Sequence, residues 1–109
     1  MRILLDFEMN KKAETYNGIR ITDVEEIVFV NLTPCWQPNH KADALPDELC
    51  IELYTASNPT QEYAIQGWYR LDDTEATFNK ALENYNKVTN QLLTKGYAKI
   101  SDFKNVDWL

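Results

Sequence analysis

Residues 72–96 read DDTEATFNKALENYNKVTNQLLTKG, and the rest of the chain is arranged around them. Phe78, Ala81, Leu82, Tyr85, Val88 and Leu92 recur at intervals of three and four, which makes one stripe on a helix of 3.6 residues per turn. The spacing predicts a helix over about 73–95. Asp72 is placed to cap its start, and Glu75 three residues later has capping-box spacing. Asp72, Asp73 and Glu75 also set negative charge against the positive end of the helix dipole. Lys95 in the last turn and Gly96 just beyond it mark the stop. At ~1.5 Å per residue such a helix is about 34 Å long, enough to cross most of a domain this size.

The opposite face carries Asn79, Lys80, Glu83, Asn86, Lys87, Asn90, Gln91 and Thr94. Glu83 and Lys87 have the favourable (i, i+4) order, worth about 0.2–0.5 kcal/mol. Asn and Thr are weak helix formers, so this helix needs a sheet to hold its stripe down.

Working outward, residues 1–9 alternate, with Ile3, Leu5, Phe7 and Met9 on one face, and read as a half-buried strand. Residues 13–22 contain Asn17-Gly18, the strongest short hairpin signal, because both turn positions need positive φ. Residues 23–26, Asp-Val-Glu-Glu, read as polar and turn-like. Residues 27–32, Ile-Val-Phe-Val-Asn-Leu, read as a central strand covered on both sides. Residues 33–48 contain Pro34, Pro38 and Pro46 without useful periodicity and read as a long loop.

Residues 49–55 alternate again, residues 57–60 form a turn, and residues 62–71 give a long strand that pairs with 49–55 as an antiparallel hairpin. Gly67 in mid-strand marks a bulge or a close approach by another backbone. Residues 97–103 give a short edge strand. Val106, Trp108 and Leu109 form an apolar tail expected to pack back on the domain. The fold class is α+β: one domain over 1–109, a bent or barrel-like, mostly antiparallel sheet of five to seven strands, and one long helix packed on it.

Composition narrows the function. A chain of 109 residues buries roughly two-thirds of its unfolded surface, so neither a disulfide nor a metal is needed to staple it. No run of 18 apolar residues is present, and the default compartment is the cytoplasm. Many Asn, Lys, Ile and Tyr residues hint at a bacterial or phage genome rich in A and T. The net charge of −6 opposes general binding of double-stranded DNA. Cys35 and Cys50 read as free thiols, and without a C-x-x-C spacing neither a closed zinc site nor a dithiol redox site is indicated. Gly18, Gly67 and Gly96 are the only glycines, and they form no phosphate-binding pattern.

Two chemical constellations remain. Cys35 and His40 supply the residue types of a nucleophile and base, but no family signature surrounds them. His40, Asp43, Asp47 and Glu48 are a scattered set of ligand types for a metal, and no metal or cofactor is expected. The better candidate is aromatic and polar: Trp36, His40, Tyr54, Gln66, Trp68 and Arg70, on residues 33–48 and on the paired strands. Trp, Tyr, Arg and Gln on one sheet face either close as a second core beneath the long loop or are free to form a protein hot spot or to stack a base or a sugar. The leading expectation is a small cytoplasmic, non-enzymatic binding or regulatory module. Its partner would be another protein or a second copy of itself. The alternative is a small RNA-binding regulator on a bent sheet, a PUA-like or similar scaffold, with Arg70, Lys99 and Lys104 neutralising phosphates while Trp36 and Trp68 stack bases. An enzyme using Cys35 or His40 is a distant third, and no membrane contact is expected.

Overall fold

The computed structural model describes residues 1–5, 23–56 and 65–109. The hairpin at 13–22 and the turn at 57–60 lie outside the described residues, as do parts of the strands expected at 1–9 and 62–71. The described elements are β1 (Arg2–Leu5), β2 (Asp23–Cys35), β3 (Glu48–Thr55), β4 (Ile65–Tyr69), α1 (Glu75–Lys95), β5 (Tyr97–Lys99), a 3-10 turn (Ile100–Asp102) and β6 (Val106–Trp108). The strands form one six-stranded sheet in the order β5-β1-β2-β3-β4-β6. Every pairing is antiparallel except β1 with β5. The sheet is open, so the fold is a bent α+β sheet with one helix rather than a closed barrel.

Strand β2 is the spine of the sheet. Its first residues, Asp23 to Glu26, pair with β1, and the rest, Ile27 to Cys35, pair with β3. The handover falls at a register shift between Ile27 and Phe29, which leaves Val28 as the extra residue. A bulge of this kind bends a strand and increases its twist, which is how one strand serves two ladders.

Three expectations are corrected here. Residues 23–26 are strand and not turn, because their backbone groups find a partner in β1 that local polarity could not reveal. Residues 27–32 are not covered on both sides: Ile27 is buried, but Val28 and Phe29 are 50% and 53% exposed. Beyond Glu26 this strand has a strand partner on one side only among the described residues. The long loop is shorter than expected and runs over 36–47, because Thr33, Pro34 and Cys35 continue the ladder against Cys50, Leu49 and Glu48. An edge with no ladder partner among the described residues tolerates Pro34, whose missing N–H removes no ladder bond there.

Helix α1 follows the stripe. Ala81, Val88 and Leu92 are buried, and Phe78, Leu82 and Tyr85 pack half-buried against the same core. That core also takes Ile3, Ile27, Leu49, Ile51, Leu53, Tyr69, Ala98, Ile100 and Phe103. The helix starts two residues later than the capping-box spacing indicates. Thr74 is the N-cap, with its hydroxyl accepting from the Thr77 N–H at 3.2 Å. Asp72 lies outside the helix and accepts from the Thr74 N–H at 3.2 Å, the Thr74 hydroxyl at 2.6 Å and the Thr77 hydroxyl. Those hydroxyls, chiefly that of Thr74, hold the Asp72 carboxyl below its ordinary value. Asp73 has a φ of 65°, which no helical residue adopts.

The stop is where the spacing puts it. Gly96 takes a φ of 75° and donates its N–H to the Leu92 carbonyl. The weak helix formers use their side chains locally: the Thr89 and Thr94 hydroxyls donate to the carbonyls of Tyr85 and Asn90 at 2.8 Å. Glu83 and Lys87 form no ion pair, and both side chains stay in solvent.

Gly67 is a close approach and not a bulge. Its register with Ile51 and Trp108 is regular, and a Cβ there would sit 2.6 Å from Val106 Cγ1 and 2.8 Å from Trp108 Cε3. Trp108 meets Phe103 edge-to-face at 6.0 Å and packs on the core, so the apolar tail folds back as β6. No helix among the described residues is long and apolar enough to cross a membrane.

Candidate functional site

Strand alternation sorts the candidate residues. On β3, Leu49, Ile51, Leu53 and Thr55 are buried on the helix side, while Cys50, Glu52 and Tyr54 face the other way. Registration carries that second face across the sheet: Phe29 lies opposite Tyr54, Asn31 opposite Glu52 and Gln66, and Thr33 opposite Cys50, Trp68 and Asp107. Helix α1 covers the inner face, and no helix among the described residues covers the outer one.

The outer face has its own polar order. The Glu52 carboxylate accepts from the Tyr54 hydroxyl at 3.2 Å and from the Gln66 amide at 3.0 Å through the same Oε2. Partial burial, then the bond to Glu52 and its charge, push the Tyr54 hydroxyl above its ordinary value. Phe29 tilts against Tyr54 with ring centroids 5.5 Å apart. Arg70, one residue beyond β4, pairs with Asp107 at 3.3 Å, and both side chains are largely exposed. Tyr54, Gln66, Trp68 and Arg70 are thus brought to one side of the sheet, as the sequence indicated, with Phe29 and Glu52 added. Phe29 escaped notice because residues 27–32 read as doubly covered.

Trp36 and His40 belong to the loop that follows β2. Their rings stack at 5.6 Å with 23° between planes. Trp36 Nε1 donates to the Ala44 carbonyl at 2.8 Å, and His40 Nδ1 donates to the Gln37 carbonyl at 2.9 Å. Asp47 accepts from the Gln37 N–H at 2.7 Å and ties the loop to itself. Trp36 is 43% exposed. The three tryptophans do not share one surface: Trp36 lies on the loop, Trp68 on the outer face and Trp108 on the core side.

The chemical constellations do not assemble. No hydrogen bond among the described residues joins Cys35 to His40, whose ring is committed to Trp36 and Gln37. Burial, with Glu52, Cys35 and Glu48 nearby, raises the Cys50 thiol above its ordinary value and disfavours the thiolate. Among the described residues no group of three or more His, Cys, Asp and Glu side chains converges in a way that could hold a metal.

The cations of the RNA alternative are only partly together. Arg70 and Lys104 line one cleft, from which Lys99, Trp36 and Trp68 are absent. That cleft lies between the end of β4, the first half of α1 and the turn at Lys104 and Asn105, and has a volume of about 340 Å³. Its organiser is Asn84, which the sequence reading assigned to neither helix face. Asn84 Oδ1 accepts from the Tyr69 hydroxyl and the Lys104 N–H, each at 2.9 Å, and its Nδ2 donates to the Asp102 carbonyl at 2.9 Å. One side chain therefore fastens strand, helix and turn. The legible signal was its position, three residues after Ala81 and four before Val88, a polar residue set on the apolar stripe.

Burial, and Tyr85 close by, raise Tyr69 well above its ordinary value of 10.0, and burial raises Tyr85 too. A tyrosine that ionises later in the folded than in the unfolded chain contributes stability in full below pH 10 and loses it as pH rises further. Urea titrations at pH 9 and pH 11 should show the wild type losing more stability over that interval than Tyr69→Phe. Equal losses would show that Tyr69 ionises as freely folded as unfolded.

Comparison with protein-family models, with curated proteins and with solved structures found no match, so the function is read from this chain's own geometry.

Proposed function

We propose that the chain is a small cytoplasmic binding module without enzymatic activity, which contacts another protein through the outer sheet face and the adjoining 36–47 loop. The observation that carries this reading is the outer face itself. Phe29, Tyr54 and Trp68 stand there among Glu52, Gln66 and Thr33, with none of the described helices over them. Aromatic rings framed by satisfied polar groups are the usual anchors of a protein contact. The charges on this side among the described strand residues are Glu48, Glu52 and Asp107, against Arg70, which is already paired. A carboxylate-rich face repels a phosphate backbone, which favours protein over RNA here.

The test compares the immobilised wild-type chain with Phe29→Ser and Trp68→Ala in retaining soluble protein, including a labelled second copy of the chain. Both variants are expected to lose the retained partner at least tenfold, and 0.5 M salt to weaken wild-type retention only a few-fold. Unchanged retention by both variants would remove the outer face as the contact. Retention of oligonucleotide that falls steeply with salt would move the reading to RNA.

A further inference from the structure

We propose that the cleft framed by Asn84 is a binding site for a small phosphate ester carrying free hydroxyl groups, of sugar-phosphate to mononucleotide size. The chain has a net charge of −6 and only 11 Lys and Arg residues, yet Arg70, Lys80, Lys87 and Lys104 all line this one cleft. Dispersed placement would relieve their mutual repulsion, so their convergence calls for an anion between them. Arg70 is engaged by Asp107, whereas Lys80, Lys87 and Lys104 make no ion pair among the described residues. Lysine ammonium groups act as point charges, and three of them suit an anion that spreads its charge over several oxygens. A phosphate monoester does so, while a single carboxylate would meet one lysine.

The frame is rigid where it needs to be. Lys80, Asn84 and Lys87 fall at i, i+4 and i+7 on α1, so both lysines flank the residue that holds the Lys104 turn. The Asn84 bonds to Tyr69, Asp102 and Lys104 use its amide for structure and leave the ammonium groups for the ligand. Glu83 is the one carboxylate in the lining among the described residues. It suits a ligand hydroxyl as an acceptor and opposes a second phosphate, which is why the ligand is a phosphorylated polyol and not a polyphosphate. A volume of about 340 Å³ matches one sugar phosphate or mononucleotide. The sole aromatic in the lining among the described residues, Tyr69, is buried and bonded to Asn84 and so is not free to stack a base.

The experiment is an amide-resonance titration of the full chain with ribose 5-phosphate and inorganic phosphate, using ribose and sulfate at matched ionic strength as controls. Ribose 5-phosphate is expected to give saturable shifts confined to residues 69–70, 77–87 and 104–105, with a Lys87→Gln/Lys104→Gln chain binding at least tenfold more weakly. Both lysines are exposed, so that chain should melt like the wild type; Lys80→Gln alone serves as the second variant. Glu83→Gln should weaken ribose 5-phosphate and strengthen inorganic phosphate. Shifts that do not saturate, that sulfate reproduces, or that survive in the lysine variants would overturn the proposal. Tighter binding of a phosphoserine peptide than of ribose 5-phosphate would overturn the small-molecule assignment. Arg70 borders both surfaces, but none of these variants touches the outer sheet face, so the two readings are tested separately.

Discussion

Leu92→Ala is expected to lower the free energy of unfolding by about 2–5 kcal/mol, the range for deleting a buried leucine and leaving a cavity. Leu92 is 1% exposed and sits in the core with Val88, Ile3 and Ala98, in the last turn before the Gly96 cap. Its neighbour makes the control. Leu93 is 75% exposed, and Leu93→Ala should change stability by no more than about 0.5 kcal/mol. The two leucines are chemically identical and adjacent, so the contrast reads out only which way the helix is turned. Urea unfolding by circular dichroism measures both. For a domain of this size, each 1 kcal/mol moves the melting temperature by roughly 4 °C or more. Equal losses at the two positions would mean that the helix is rotated so that Leu92 does not face the core.

Gly67→Ala is expected to cost about 1–3 kcal/mol, the range for forcing an extra carbon into a filled site. The new methyl group would meet Val106 Cγ1 at 2.6 Å, Trp108 Cε3 at 2.8 Å and the Asp107 carbonyl at 3.0 Å. Valine is stiff at χ1 and cannot swing clear, and the carbonyl belongs to the ladder between β4 and β6. The first casualty should therefore be the β6 edge rather than the core under α1. Amide exchange is the direct readout: protection at 106–109 should fall before protection in β3. Val106→Ala removes the nearest obstacle, so the double variant should be less destabilised than the two single losses added together. Strict additivity would mean that the methyl group finds room without displacing Val106.

The two substitutions separate what is legible locally from what is not. The Leu92 stripe can be read from spacing alone, because helix periodicity depends only on which residues are apolar and how far apart they are. The Gly67 contact was legible as a kind of event but not as a partner. A glycine in a strand implies that something comes close, and only the β4–β6 register names Val106 and Trp108. The cap shows the finest limit. Asp72 and Thr74 are both good caps, and the choice fell to Thr74 because Asp73 turned into the left-handed region.

The candidate surface divides the same way. Tyr54, Gln66 and Trp68 were placed on one face by simple alternation, which holds as long as the register does. Phe29 joined them only because a bulge at Val28 shifted the register and the covering layer expected over residues 27–32 is not there among the described residues. The cleft around Asn84 was invisible beforehand. Its lysines are separated by up to 24 positions, and nothing local distinguishes an isolated lysine from one that lines a cleft with other cations.

By itself, the sequence determined the α1 stripe, the glycine stop, the alternation of β3, the pairing of β3 with β4 and the return of Trp108 to the core. Each depends on periodicity or on the stereochemistry of one residue, quantities that short-range order carries in full. Tertiary structure alone decided that residues 23–26 are strand, that β2 serves two ladders, and that Arg70 and three lysines line one cleft beside Asn84. Those outcomes depend on which backbone groups and charges are brought together from distant parts of the chain, and that is settled by the strand order of the open sheet and the packing of its helix against one face.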